Sequence, residues 1–534
     1  MTTPRFNLLT DPLLQVLPER IVSLPCLFDL LTRDRVDSYP AIRPHQAPSW
    51  HMFLVQLAAL ALNRAGKLRL PETEDEWLHV LRGLTPDFPD DEPWCLVVRD
   101  SKKPAFFQSP IPDGVKLDKM VPTPDALDLL ITSRNHDLKA AVAQCAEAQD
   151  WIFSLASLQT SEGFGGAGNY GIVRMNGGSS SRPLLGLVPL SQENIKINAA
   201  RPGTWFRRDV SVLLASRVEE FKEAQYLGYP TAGGLGLTWI AAWEEEDQLT
   251  LGELDIWFIE VCRRIRLSLE DDRILGRRGT SKTPRIAAKH LNGAVGDPWA
   301  PVHTTENKSL TLSGGSFDYR KLVEILLSGY WKIPILARPT AFEASGHSML
   351  LVAQALSRGN CKTEGYKSRV LPIGGKISRA LSLGTKRETL HELARKQMEE
   401  IKKFDDTLRN ALALLAAGGD PDKLRKKHYV YTNEARSNFD AVADNVFFEH
   451  LWTRFEAQEA GGDAVRVEAR RFAAKLFERA KLIFEAGLPA MPCGTMFRPR
   501  AEARARHKFQ GSVRHSFPEL FSTTTNEETD NAVA

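Results

Sequence analysis

The stretch GFGGAGNYGIVRMNGGSSSRP, Gly163–Pro183, places seven glycines in twenty-one positions, with aromatic, amide and basic side chains among them. Glycine has no Cβ atom, so its backbone can adopt positive φ and can approach a partner closely. A flexible linker would be rich in glycine and serine and would lack aromatic residues. The stretch therefore predicts an anchored loop. Its exposed N–H groups could serve structure alone, or they could face a phosphate or a base edge.

Gly163, Gly165 and Gly168 also spell G-x-G-x-x-G, the pattern of a dinucleotide-binding turn. That turn requires a buried strand before the glycines and a helix that begins directly after them. Here the polar end of WIFSLASLQTSE precedes the glycines, and NYGIVRMNGG follows without a clean helix start. The context disfavours this interpretation, and a nucleotide-binding enzyme that uses Gly163–Gly168 stays as the alternative function.

The composition limits the classes of partner. The chain has 534 residues, 43% of them hydrophobic, which is enough for two to four domains with packed cores. Its net charge of only +3 means that any contact with nucleic acid must come from local patches. Six separated cysteines without a C-x-x-C pair offer neither a zinc ribbon nor a disulfide framework, so we expect no metal, no cofactor and a reducing cytoplasm. The longest apolar run, Met52–Leu62, is too short to cross a membrane, and the N-terminus lacks a signal-peptide pattern.

Positive charge is concentrated between residues 263 and 289, diluted by three consecutive acidic residues at 270–272. Two interpretations are open: a solvated face, or a basic finger that contacts phosphates or base edges. The basic residues of this region are Arg263, Arg264, Arg266, Arg273, Arg277, Arg278, Lys282, Arg285 and Lys289.

The character of the chain changes near residue 381, where long amphipathic patterns begin. A stripe of apolar residues at helical spacing runs from Leu390 to Leu415. Further helices are predicted near 434–460, 465–487 and 498–514, separated by short connections that include two Gly-Gly pairs. We therefore predict an α+β fold with a mixed α/β N-terminal domain over 1–375, a C-terminal four-helix bundle over 376–517 and a disordered tail over 518–534.

Sequence motifs of catalysis are missing. The chain has no Walker motif, nucleophile elbow or H-E-x-x-H. His136-Asp137 is typical of metal phosphohydrolases, but we find no further ligands for such a site and prefer a polar loop. These observations favour a non-catalytic binding protein over an enzyme, although an active site assembled from distant residues stays open.

Several segments together resemble one family, the large subunit of the type I-E Cascade complex of CRISPR antiviral defence. They occur in the family's order over nearly the whole chain and end in the predicted helical bundle. The matching segments are FNLLTDP near the start, SRNHDLK, GFGGAGNYGIVRMNGG, GDPWAPV, KTEGYKSRVLPI and the four C-terminal helices. The resemblance implies a cytoplasmic ribonucleoprotein subunit without catalytic activity. Such a subunit reads the protospacer-adjacent motif in double-stranded DNA, helps to start R-loop formation and recruits a helicase-nuclease. Its implied partners are the guide RNA (crRNA), target DNA, the other Cascade subunits and that effector.

The resemblance also assigns residues. The DNA-contacting glycine loop falls on Gly163, Phe164, Gly165, Gly166 and Ala167, with Gly166 as the minor-groove contact. Candidates for the basic finger are Lys282, Arg285 and Lys289. The wedge, a polar loop inserted under the first target base pair, falls on residues 358–365 with Arg358, Asn360 and Lys362 as candidates. The loop for the guide RNA 5′ end falls on Thr132, Ser133, Arg134, Asn135 and His136. Some relatives bind zinc through clustered cysteines, which this chain lacks.

Overall fold

A computed structural model describes residues 5–128, 145–190, 200–359 and 362–521. The chain forms two compact units. The first contains residues 1–317 and 324–382, and the second contains residues 318–323 and 383–534. The first mixes helices with short sheets and the second is helical, so the predicted α+β class is confirmed.

The strands are short, apart from one long hairpin. They are β1 (Arg5–Asn7), β2 (Leu14–Val16), β3 (Arg20–Val22), β4 (Cys95–Val97), β5 (Lys119–Val121), β6 (Leu184–Pro189), β7 (Leu235–Leu237), β8 (Leu254–Ile259), β9 (Arg264–Glu270), β10 (Arg273–Gly279), β11 (Val302–His303), β12 (Trp331–Lys332), β13 (Met349–Gly359) and β14 (Lys362–Ile373).

The helices of the described residues are longer and carry most of the core. They are α1 (Leu24–Thr32), α2 (Ala47–Arg64), α3 (Glu74–Arg82), α4 (Ala148–Ser161), α5 (Pro202–Ala224), α6 (Tyr319–Leu327), α7 (Gly375–Ser382), α8 (Gly384–Ala416), α9 (Lys426–Val430), α10 (Asn433–Ala460), α11 (Ala464–Gly487) and α12 (Arg498–Ser516).

Helix α2 is the centre of the first unit, because its residues are apolar around nearly the whole circumference. Its Trp50 packs edge-on against Phe153 of α4 at 5.0 Å between ring centroids. The helix also buries the polar side chain of Gln56, which accepts a hydrogen bond from Arg182 Nη1 at 3.0 Å and donates to the carbonyls of Trp257 and Phe258. The amide is thus fully partnered, as a buried polar group must be.

Two three-stranded antiparallel sheets position the loops of interest. In one, β10 lies between β5 and β9. The β9–β10 turn is formed by Asp271 and Asp272 at φ of 47° and 58°, the left-handed geometry that two-residue hairpins require. In the other, β13 lies between β6 and β14. Hydrogen bonds join the glycine-rich stretch to Ser281, two residues beyond β10, and to Leu356 within β13.

The second unit is a bundle in which α8 packs against α10, α11 and α12. Aromatic pairs fill the interior: Phe404 stacks on Phe517 at 4.2 Å, and Phe484 stacks on Phe509 at 4.5 Å. Burying each ring contributes about 1.5–3 kcal/mol to the free energy of folding. Gly461 at φ 78° ends α10, since a residue with a Cβ is strained there. The predicted four-helix bundle is confirmed in its helices and its order.

Candidate nucleic-acid interface

The glycine-rich stretch begins directly after α4 and folds back on itself. The N–H of Gly163 donates to Ser180 O at 3.1 Å, and the N–H of Phe164 donates to Gly178 O at 2.9 Å. The two arms lie so close that a Cβ on Gly163 would come within 2.2 Å of the Gly178 carbonyl oxygen. Gly163 is therefore required for the loop to close.

The tip of the loop, residues 164–169, projects from this base. It is closed by hydrogen bonds between Gly165 N and Asn169 O and between Asn169 N and Gly166 O, both 2.9 Å. Gly166 has φ 110°, and a Cβ placed on it would meet no atom within 4 Å. Phe164 is 41% exposed, a large apolar side chain left without full cover in this chain. The tip thus presents backbone and one aromatic ring to whatever binds there.

Lys282 lies beside this loop. The N–H of Ser281 donates to Gly168 O at 3.0 Å, and Tyr170 Oη donates to the backbone carbonyl of Lys282 at 2.9 Å. The Lys282 ammonium is exposed but paired with Glu245 at 2.7 Å and Glu246 at 3.3 Å. Its hydrogen bond to Glu245, followed by that to Glu246, raises the pKa of Lys282 above its ordinary value. A phosphate that binds Lys282 must displace these carboxylates.

Arg285 lies in the interior and not on a basic finger. It is 4% exposed, and its Nη atoms donate to the carbonyls of Ala242, Thr238 and Ala241 at 2.9–3.3 Å. Burial, followed by the charge of Arg264, lowers the pKa of Arg285 to about 10. In this position its guanidinium is unavailable to a phosphate, so Lys282 and Lys289 stay as the exposed candidates.

The other basic residues of 263–289 divide in the same way. Arg263, Arg264 and Arg266 are buried and donate to backbone carbonyls, which contradicts a solvated face for them. The exposed members are Arg273, Arg277, Arg278, Lys282 and Lys289. Periodicity could not separate the two groups, because short strands and turns place successive residues in unrelated environments.

In the segment predicted to be a wedge loop, the described residues 358–359 and 362–365 belong to the β13–β14 hairpin. Arg358 is at the end of β13, and Lys362 begins β14. The hairpin is held to the glycine-rich stretch by a hydrogen bond from Leu356 N to Ser181 Oγ at 2.7 Å. Strand pairing continues to Gly359 and Lys362, and residues 360 and 361 lie outside the described ranges.

Glu162 links the parts of this interface and was not singled out from the sequence. Its carboxylate lies 3.1 Å from Arg263 Nη2 and 3.7 Å from Arg358 Nη1. Arg263 also donates to Gly163 O at 2.8 Å. One acidic residue at the end of α4 thus joins the base of the glycine loop to the end of the hairpin. A lone glutamate before a loop carries no sequence signal of such a role.

Two groups of predicted residues fall in the gaps between the described ranges. The loop Thr132–His136 proposed for the guide RNA and the neighbouring Asp137 lie outside the described residues, as does Asn360. Beside the first gap, His45 Nε2 lies 2.8 Å from Asp128 Oδ1, and Arg43 pairs with Asp125 and Asp128. The side chain of Lys362 is likewise outside what the structure describes.

The dinucleotide-binding alternative lacks its structural context. A helix, α4, precedes Gly163, where a buried strand is required. Turns follow the glycines, and the next helix of the described chain is α5, which begins at Pro202.

Within the described residues, we find no cluster of three or more His, Cys, Asp or Glu side chains that could hold a metal ion. Nor does any described helix combine the length and hydropathy needed to span a bilayer.

Comparison with known proteins gives a clear result for the fold. The sequence matches no protein-family model and no curated protein. Among solved structures, Cse1 of Thermobifida fusca is similar at 15% identity and a TM-score of 0.62, over 96% of this chain and 98% of that one. CasA of Thermus thermophilus (15%, 0.61) and the CRISPR-associated protein Cse1 of Acidimicrobium ferrooxidans (15%, 0.59) each match over 96% of this chain and 99% of their own. The chain therefore has the fold of the Cse1/CasA proteins.

Proposed function

We propose that this chain is the large subunit of a type I-E Cascade complex, an RNA-guided surveillance complex of the cytoplasm. The observation that carries the proposal is the Cse1/CasA fold, which extends over 96% of the chain and includes both units. The subunit binds and positions nucleic acid and catalyses no reaction. A fold alone does not imply a function, so the proposal also depends on the site.

Recognition of the protospacer-adjacent motif is assigned to the tip of the glycine loop. The backbone at Gly166 is free of overlying side chains, and Lys282 and Lys289 are exposed nearby for phosphates. Readout of the minor groove distinguishes base pairs only coarsely. A backbone reader therefore tolerates several related motifs, while pairing with the guide RNA supplies sequence specificity.

Opening of the target duplex is assigned to the end of the β13–β14 hairpin. Exchange of a DNA duplex for an RNA–DNA duplex is nearly neutral in free energy. A polar segment inserted at the first base pair can therefore decide the outcome. Arg358 and Asn360 are the candidates, and the hydrogen bond between Leu356 and Ser181 ties this hairpin to the loop that reads the motif.

The remaining assignments concern partners. Residues 132–137 are the proposed contact for the 5′ end of the guide RNA. The other Cascade subunits are the proposed protein partners, and the assembled complex then recruits a helicase-nuclease.

Reconstitution tests the proposal. The chain is assembled with the other type I-E subunits and a guide RNA, and binding is measured to a target duplex whose flanking bases are randomised. We expect the complete complex to select a small set of flanking sequences and the complex without this chain to select none. Identical selection by both complexes would contradict the proposal.

A further inference from the structure

Helices α11 and α12 of the second unit hold a concentration of positive charge that the rest of the chain does not share. Together they contain twelve Lys and Arg residues against four Glu residues, whereas the complete chain has 69 basic and 66 acidic residues. The excess on these two helices is therefore larger than the net charge of +3 of the entire molecule. Charge concentrated in this way attracts anionic partners.

Three of the four glutamates on these helices are already paired with arginines. Glu468 lies 3.6 Å from Arg471, and Arg506 lies 2.9 Å from Glu485 and 3.4 Å from Glu502. The helices therefore supply too few carboxylates to neutralise their own cations.

The last described residue, Phe521, is held between these two helices. A short 3₁₀ turn, Pro518–Leu520, follows α12 and contacts both α11 and α12. The ring of Phe521 then packs edge-on against Phe477 of α11, with 5.7 Å between ring centroids. Arg514 Cζ of α12 lies 5.4 Å from the centroid of the Phe521 ring, a cation–π contact. The point at which the chain leaves the described region is thus fixed against both helices.

Exposed cations surround this point. Lys481 follows Phe477 by one helical turn and so lies on the same side of α11. Lys508 is adjacent to Phe509, whose ring centroid is 6.4 Å from that of Phe477. We name the exposed residues Lys481, Lys508 and Arg514 the basic patch, and none of them forms an ion pair with a described residue.

The sequence beyond Phe521 complements the basic patch in charge. Residues 522–534, STTTNEETDNAVA, contain Glu527, Glu528 and Asp530 and no Lys or Arg, and they lie outside the described residues. The three carboxylates follow Phe521 by six to nine residues, which an extended chain can span over about 20–30 Å. Lys508 and Arg514 are only about 9 Å apart along their helix, so the segment is long enough to cover the patch.

We propose that the acidic segment 522–534 binds the basic patch of its own chain and shields it from nucleic acid. A tethered partner has an effective concentration in the millimolar range, so weak attractions suffice for binding. Each exposed ion pair shifts an equilibrium by up to about 5-fold, and three carboxylates face three cations. Nucleic acid that reaches the patch must first displace the segment. The segment therefore lowers the affinity of the chain for unrelated DNA, a property that goes beyond the proposed function.

Neutralising the segment in the full-length chain tests the shielding. Glu527→Gln, Glu528→Gln and Asp530→Asn are combined, and binding to a short labelled duplex is measured by fluorescence anisotropy. We expect the neutralised chain to bind about 3- to 10-fold more tightly than the wild-type chain at low salt. The difference should shrink as the salt concentration rises, because salt screens exposed charges.

A matched control changes the net charge by the same amount elsewhere. It combines Glu19→Gln, Asp87→Asn and Asp90→Asn, three exposed carboxylates of the first unit. This variant should bind the duplex as the wild-type chain does. Equal affinity in the two triple variants would overturn the inference, since only the overall charge would then matter.

The contact itself is tested by carbodiimide cross-linking, which joins a carboxylate to a lysine amine that touches it. We expect cross-links from Glu527 or Glu528 to Lys481 or Lys508 within one chain, and their loss when DNA is bound. With both lysines replaced by alanine, neutralising the segment should change DNA affinity less than about 2-fold. Cross-links that join two chains only, or none to these lysines, would overturn the inference. The test needs no guide RNA and no other subunit, so its outcome is independent of flank selection by the reconstituted complex.

Discussion

Replacing Gly166 by valine tests the assignment of the glycine loop most directly. A Cβ at this position meets no atom of the chain within 4 Å, so the side chain would contact only a docked partner. A β-branched residue would hold the backbone away from the floor of a DNA groove. We expect weaker binding to duplexes that carry the selected motif, without a change in assembly on guide RNA.

The magnitude follows from two contributions. At φ 110° a valine is strained by about 1–3 kcal/mol, which lowers the stability of the loop irrespective of DNA. Loss of a close contact with a base edge costs about 1–3 kcal/mol more, or roughly 5- to 150-fold in affinity. Only the second contribution reports on recognition.

A matched control separates the two contributions. Gly66 follows α2 at φ 64° and also has no atom within 4 Å of an added Cβ, so Gly66→Val carries comparable strain outside the loop. Affinity is measured by fluorescence anisotropy of a labelled duplex at one fixed salt concentration. If Gly166→Val and Gly66→Val bind the duplex equally well, the loop does not read the groove.

Four further perturbations follow from the structure. Replacing Lys282 and Lys289 by alanine together should weaken DNA binding and reduce the log–log salt slope by roughly 0.9 per lost phosphate contact. Arg285→Ala should instead lower the thermal unfolding midpoint, because it removes the hydrogen bonds from a buried guanidinium to three backbone carbonyls. Asn360→Ala should slow strand separation, followed by permanganate reactivity, on a fully paired target but not on one whose first pairs are mismatched. The pKa of Glu260 is raised on folding from 4.5 to about 7, so the protonated carboxyl stabilises the folded chain. This contribution is complete below about pH 4.5 and is lost as the pH rises through about 7. In Glu260→Gln, the thermal unfolding midpoint should therefore fall less steeply with pH over this range.

The predictions for the two lysines, for Asn360 and for Glu260 each have an outcome that contradicts them. An unchanged salt slope in the lysine double variant would mean that the two lysines contact no phosphate. Equal slowing on paired and mismatched targets would remove Asn360 as the wedge. For the pH dependence, Glu220 titrates in the same range, so part of the slope must persist in Glu260→Gln. A fully unchanged slope would contradict the buried, protonated state of Glu260.

The fold could be predicted best where a single periodicity decides it. The stripe from Leu390 to Leu415 lies on one helix, α8, and the Gly-Gly pairs end helices as predicted. Tryptophans at 205, 239, 243 and 257 are buried, as their size implies. The N-terminal region was less predictable, because its short strands pair with distant partners. An example is β1 with β4, more than eighty residues apart.

The sequence predicts the loop conformation of the site, but it does not predict the ion pairs around the loop. The glycine-rich stretch is a loop anchored at its base, as its aromatic residues indicate. Its neighbours Glu162, Glu245 and Glu246 could not be identified, since each pairs with a basic residue that is remote in sequence. No sequence pattern separates the buried Arg285 from the exposed Lys289, four positions away.

The carboxylate of Glu162 makes the two halves of the interface thermodynamically dependent on each other. Arg263 and Arg358 share this one counter-charge, and Arg263 also holds the carbonyl of Gly163. A bound partner that moves the base of the loop therefore changes the electrostatic potential at Arg358. Conversely, a nucleic-acid strand that draws Arg358 away leaves Glu162 paired with Arg263 only. Groups that share a partner in this way give non-additive free energies in double-mutant cycles. Under the proposed function, this shared carboxylate would couple the free energy of motif binding to that of duplex opening.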